Sequence, residues 1–141
     1  MLAITNVRIL TVTQGTIDGG TVLIDGNKIE AVGRGVAVPQ GAKVIDGTDK
    51  VLTPGLIDAH SHAGLDEEGF GFEGWDYNEA TDPATPWLRA IDGINPVEMG
   101  LRDAAANGIT TVCVVPGSAN VLGGEGIVIH AYGSIVDEMV V

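Results

Sequence analysis

Two of the chain's three histidines, His60 and His62, stand two residues apart at the end of the apolar run "PGLIDAHSHAG", residues 54–64. Residues i and i+2 of a strand point to the same side. Both imidazoles therefore face one way, with Asp58 behind them on that face and Ser61 on the other. Two imidazoles on one face can bind one metal ion through nitrogen at ~2.0–2.1 Å. A metal held there would lower the pKa of a bound water to ~7 and so provide a nucleophile at neutral pH. In parallel barrels, ligands and catalytic groups gather at the carboxyl ends of the strands, and the pair lies at such an end. The H-x-H spacing alone is a weak signal, because surface strands carry such pairs by chance. Its position directly after "PGLIDA" strengthens it.

The other chemistry-bearing side chains carry less. Asp58 either supports the metal site by orienting a histidine or makes a structural hydrogen bond within the strand. Ser61 faces away and suits packing better than catalysis. His130 follows a separate Gly-rich loop and reads as a satisfied surface or core histidine rather than a third ligand. Glu67, Glu68, Glu73, Asp76 and Glu79 make the loop after the histidines acidic, which usually means a solvated face. "GGEG" at 123–126 lacks the lysine of a phosphate-binding loop and precedes no helix, so a nucleotide site is a poor reading. The single cysteine, Cys113, lies in the apolar run "ITTVCVV" and reads as core.

These residues need elements to hold them. The first fifty residues read as small β structure: "LAITNVRILTV" with imperfect alternation, "TVLID" and "KIEAVG" joined around Asp25-Gly26-Asn27, and "AKVIDG". Gly and Asn accept positive φ, so that junction is a strong hairpin signal. "GLIDAHSH" then reads as a strand, apolar on nearly every residue, as expected where both faces are covered. An irregular acidic segment runs from Leu65 to about Asn95. "NPVEMGLRDAAANG" reads as a helix with Asn95 as N-cap, Pro96 in the first turn, Glu98 completing a capping box and Gly108 as the stop. Val97, Leu101, Ala104 and Ala105 would share one face. "ITTVCVV" is a second buried-type strand, and "IVIHAYG" and "SIVDEMVV" read as two further strand-like runs turning at Gly133-Ser134. A β-only segment thus precedes a strand–loop–helix–strand unit, expected to be a right-handed parallel crossover.

Composition sets outer bounds. The 141 residues suffice for about one ordinary domain. A formal charge of −12, from 7 basic and 19 acidic side chains, opposes a phosphate backbone or an anionic membrane surface. No run approaches the ~18–20 apolar residues of a membrane span. "MLAITNVRIL" has neither a basic leader nor a sustained apolar stretch, so no signal peptide is expected and a cytoplasmic location follows by default.

"VLTPGLIDAHSHAG" resembles the signature of the amidohydrolase superfamily, the metal-dependent hydrolases related to imidazolonepropionase and dihydroorotase. The resemblance extends over essentially the whole chain. "NVRIL", "VLIDGNKIEAVG" and "AKVIDGTDKVLTPG" resemble the small β-sandwich domain that precedes the barrel. "NEATDPATPWLRAIDGINPVEMGLRDAAANGITTVCVVPGSANVLGGEG" resembles the imidazolonepropionase-like amidohydrolases. The implied fold is α/β: the N-terminal part of a small β-sandwich domain, residues 1–53, followed by the first strands of a (β/α)8 TIM-type barrel, residues 54–141, incomplete in this chain. "GLIDAHSH" and "ITTVCVV" would be the first and second barrel strands, and residues 54–141 are about a third of the ~250 of a complete barrel.

His60 and His62 match the family's two metal ligands on the first strand. The bridging carboxylated lysine or glutamate, two further histidines and the last-strand aspartate that serves as general base have no matching position here. The implied cofactor is one or two divalent ions, zinc foremost, with iron or manganese compatible. The implied activity is hydrolysis of an amide or cyclic-amide C–N bond by a metal-activated water. The implied partners are a small-molecule substrate and the remaining C-terminal barrel segment, and self-association is compatible with the resemblance. A two-stranded piece would leave apolar strand edges bare, so the chain alone is expected to be inactive and poorly folded. The competing reading is a non-catalytic structural or binding subunit, or a fragment of such a protein, in which the histidine pair is packing or an incidental metal clamp.

Overall fold

The computed structural model describes residues 1–141, and the chain separates into two compact units, Met1–Pro54 and Gly55–Val141.

The first unit is one five-stranded mixed sheet. Its strands are β1 (Leu2–Leu10), β2 (Thr16–Asp25), β3 (Lys28–Gly33), β4 (Lys43–Asp46) and β5 (Val51–Leu52). They lie in the order β3-β2-β1-β4, with β5 also pairing β1. The β2–β3 hairpin closes Asp25 onto Lys28 across Gly26-Asn27, and Gly26 has a φ of +56°. The imperfect alternation of β1 has a cause. Its register with β2 is irregular between Ile4 and Val7, where Asn6 sits at φ +57°. An irregularity of this kind re-aims the side chains that follow, so Ile4, Val7 and Ile9 all reach one cluster with Val22, Ile17, Ile24 and Leu52. Asn6 Nδ2 donates to Asp46 Oδ1 at 3.0 Å and ties the irregularity to β4. These 54 residues form one sheet.

The second unit contains β6 (Leu56–Ser61), α1 (Met99–Ala106), β7 (Ile109–Val114), β8 (Ile127–His130) and α2 (Val136–Met139). The sheet order is β6-β7-β8. β6 and β7 are parallel, as expected of a strand–helix–strand crossover, whereas β8 returns antiparallel to β7. The core comprises Leu65, Ala90, Ile94, Leu101, Val112, Val114, Ile129, Ala131 and Met139.

Three expectations change. The helix begins at Met99, and its N-cap is Glu98, not Asn95. The buried Glu98 carboxylate accepts from Gly100 N at 2.7 Å and Leu101 N at 3.1 Å, while Asn95 Oδ1 serves a turn by accepting from Val97 N. Val97 therefore lies outside the helix and is exposed. Residues 134–141 do not form a strand. Val136 and Met139, three apart, reach the core together, a spacing that a helical turn satisfies and a strand does not. Finally, the apolar run of β6 is not covered on both faces, because Leu56 and Ile57 are 55% and 71% exposed. β6 is an edge strand of its sheet, with β7 on one side only.

Candidate metal centre

His60 and His62 sit at the carboxyl end of β6, and their rings meet edge to face with centroids 5.4 Å apart. The rings meet although the β6–β7 register shifts between Asp58 and Ser61, the interval that contains His60. Asp58 takes the local role: its Oδ1 accepts from the backbone N–H of His60 at 3.1 Å.

His62 is fixed by groups remote in sequence. Its Nδ1 lies 2.7 Å from the carbonyl oxygen of Val115, just past β7. A carbonyl only accepts, so Nδ1 carries a proton, and in the neutral imidazole the lone pair is then on Nε2. The Tyr77 ring stacks on the imidazole at a centroid distance of 5.4 Å and an interplanar angle of 21°. Neither contact has a spacing signal, because Tyr77 lies 15 positions past His62 across a largely irregular loop and Val115 follows a different strand.

The two loops that leave the strands are bound to one another. Gly117 N donates to Tyr77 O, Thr85 N to Leu122 O, and Ala90 N to Glu125 O, while Glu125 N donates back to Leu88 O. Asn120 Nδ2 adds bonds to the carbonyls of Glu79 and Asp82. Between them lies a cavity of about 300 Å³ whose walls include Tyr77, Glu79, Arg89, Asp92, Asn120 and Gly124. Its wall charges are largely settled internally. Arg89 forms a two-pronged pair with Asp92 at 2.7 and 2.9 Å, which raises the guanidinium pKa and holds the Asp92 carboxyl below its usual range. The hydroxyl and backbone N–H of Thr81 hold Glu79 below its ordinary range as well.

Of the remaining acidic-loop residues, Glu67 accepts from Asn95 Nδ2 at 3.0 Å. His130 stacks on Tyr132, and no set of three or more His, Cys, Asp or Glu side chains converges on one point. The donor set thus fits a metal as far as it goes. It offers two imidazoles, one held as the tautomer that leaves Nε2 for a ligand bond, where a complete zinc site needs at least three protein ligands.

The imidazole pair stands at the carboxyl end of parallel strands, the end at which barrel enzymes carry their active sites. No protein-family profile matches the chain. The crystal structure of an amidohydrolase from Thermotoga maritima MSB8 is 44% identical, with a TM-score of 0.90 over 100% of this chain and 36% of its own. The amidohydrolase tasK of Hapsidospora irregularis is 43% identical over 98 residues, which is 68% of this chain and 10% of that protein. A dihydroorotase of Geobacter sulfurreducens is 31% identical over 109 residues, covering 77% of this chain and 20% of the relative. The chain belongs to the amidohydrolase superfamily, and it spans only a tenth to about a third of these relatives' lengths.

Proposed function

We propose that these residues form the N-terminal part of a metal-dependent amidohydrolase, which hydrolyses an amide or cyclic-amide C–N bond. His60 and His62 hold a divalent ion, zinc foremost given two imidazole donors. When bound, the ion supplies Lewis-acid activation of the attacking water. The loops 63–95 and 116–126 shape the pocket for a small-molecule substrate. The remaining ligands and the general base come from a segment carrying the rest of the barrel, which pairs along the open edge of β6.

The observation that carries this reading is the state of His62, whose Nδ1–H is committed to the Val115 carbonyl. A histidine serving only as packing has no need of a fixed tautomer, whereas metal-binding histidines almost always donate their second ring N–H in this way. The names of the relatives support the C–N bond chemistry. The test is metal analysis of the complete protein together with the double variant His60→Ala, His62→Ala. Stoichiometric zinc, iron or manganese, with metal and hydrolytic activity both lost in the variant, is expected. Substoichiometric metal in the wild type, or full activity in the variant, would overturn the assignment.

A further inference from the structure

The bond between His62 and Val115 exists because the β6–β7 ladder ends in an unusual way. In a parallel pair, a residue that donates its N–H to one partner residue receives the N–H of the residue two further along that partner strand. Val115 N donates to Ser61 O at 2.9 Å, so the next rung should run from Ala63 N to Val115 O. It does not. Ala63 N donates instead to Ser61 Oγ at 3.0 Å, and the vacated Val115 carbonyl accepts His62 Nδ1. The serine hydroxyl withdraws one backbone donor from the ladder, and the imidazole takes its place.

Tyr77 completes the enclosure from the other side. Its backbone carbonyl is bonded by Gly117 N, and its ring packs against the core of the second unit. Gly117 is what lets that ring approach, since a Cβ there would stand 2.5 Å from Tyr77 Cδ2. The phenol makes no hydrogen bond within the chain that the stack requires, so the flat ring face is the feature in use.

We infer that Ser61 and Tyr77 are positioning residues that hold His62 as the Nδ1–H tautomer in one ring orientation, with Nε2 available to a divalent metal. The inference rests on the reading of His62 as a metal ligand for its purpose, but the tautomer can be read without any metal. Ser61→Ala returns Ala63 N to the Val115 carbonyl, which then competes with His62 for its acceptor. Tyr77→Ala removes the stacking face, and Tyr77→Phe keeps it.

The experiment uses the complete protein, labelled with ¹⁵N-histidine and stripped of metal, with His62 assigned through a His62→Gln variant. Long-range ¹⁵N–¹H correlations report which ring nitrogen bears the proton. Zinc affinity is then measured by competition with a chromogenic chelator. Wild type and Tyr77→Phe should show the Nδ1–H form and equal affinity. Ser61→Ala and Tyr77→Ala should show mixed tautomers and bind zinc about 10–100-fold more weakly, the usual loss on removing a group that orients a ligand. An Nε2–H tautomer in the wild type overturns the inference, as does an unchanged tautomer and affinity in both Ser61→Ala and Tyr77→Ala. Equal weakening by Tyr77→Phe overturns the part assigned to the stack. A wild type that binds no zinc but shows the predicted tautomer pattern refutes the metal reading and leaves the positioning geometry standing.

Discussion

Replacing Glu98 with alanine tests how the helix that backs the site is started. Glu98 is 4% exposed, and its two carboxylate oxygens separately accept the N–H groups of Gly100 and Leu101. The helix they open has only 8 residues, too few to be stable by propensity alone. Leu101 is 1% exposed, so its N–H has no water to turn to once the carboxylate is gone. Losing an N-cap costs about 0.5–2 kcal/mol, and a buried backbone donor left unpaired costs about 1–3 kcal/mol. The two overlap, because one of the capped donors is the orphaned one, so Glu98→Ala should lose about 2–4 kcal/mol. Glu98→Gln keeps one acceptor oxygen of the same reach and should lose about half as much. Denaturant midpoints of the complete protein give the stability change where the slope stays constant. Amide hydrogen exchange across residues 99–106 gives its location. An alanine variant within about 0.5 kcal/mol of wild type, the scatter of ordinary surface substitutions, would refute the reasoning. So would a glutamine variant as damaging as alanine, or exchange that quickens everywhere except in the helix.

Two further expectations concern pH and completeness. The Asn6 amide and the Thr48 hydroxyl and backbone N–H hold the Asp46 carboxyl below its usual 3.8; a group whose folded pKa is depressed stabilises the fold above its unfolded pKa and loses that contribution as pH falls through the folded one. Stability titrations should therefore show Asp46→Ala with a shallower acid limb than wild type, the two curves drawing together as pH falls through the folded pKa, and parallel curves through the acid limb would contradict the assignment. The 141 residues expressed alone should aggregate or fold poorly, because β6 presents an open edge with Leu56 and Ile57 exposed, and co-expression with the segment proposed to carry the rest of the barrel should rescue them; a cooperative, monomeric unfolding transition of the isolated chain would contradict this.

Several features were legible locally because a local rule governs them. The histidine pair is one, since side chains two apart on an extended stretch are near neighbours, and the two rings do meet. The Asp25–Lys28 hairpin and the helix stop at Gly108, which sits at φ +91°, are others. The capping residue was not decided locally. Asn95 and Glu98 both carry suitable oxygens, and the side chain that becomes buried over the first helical turn is the one that caps it. The same holds for Val136–Met139, whose composition tolerates a strand or a helix and whose burial through Val136 and Met139 selects the helix.

By itself, then, the sequence determined that two imidazoles share a face at the end of an apolar strand, and that a second strand of similar character follows a helix. Tertiary structure decided what surrounds one of them, His62. The Val115 carbonyl that sets the tautomer of His62, and the Tyr77 ring that sets its plane, lie 53 and 15 residues away along the chain. No periodic pattern encodes such contacts, because they depend on where an irregular loop and a neighbouring strand end in space.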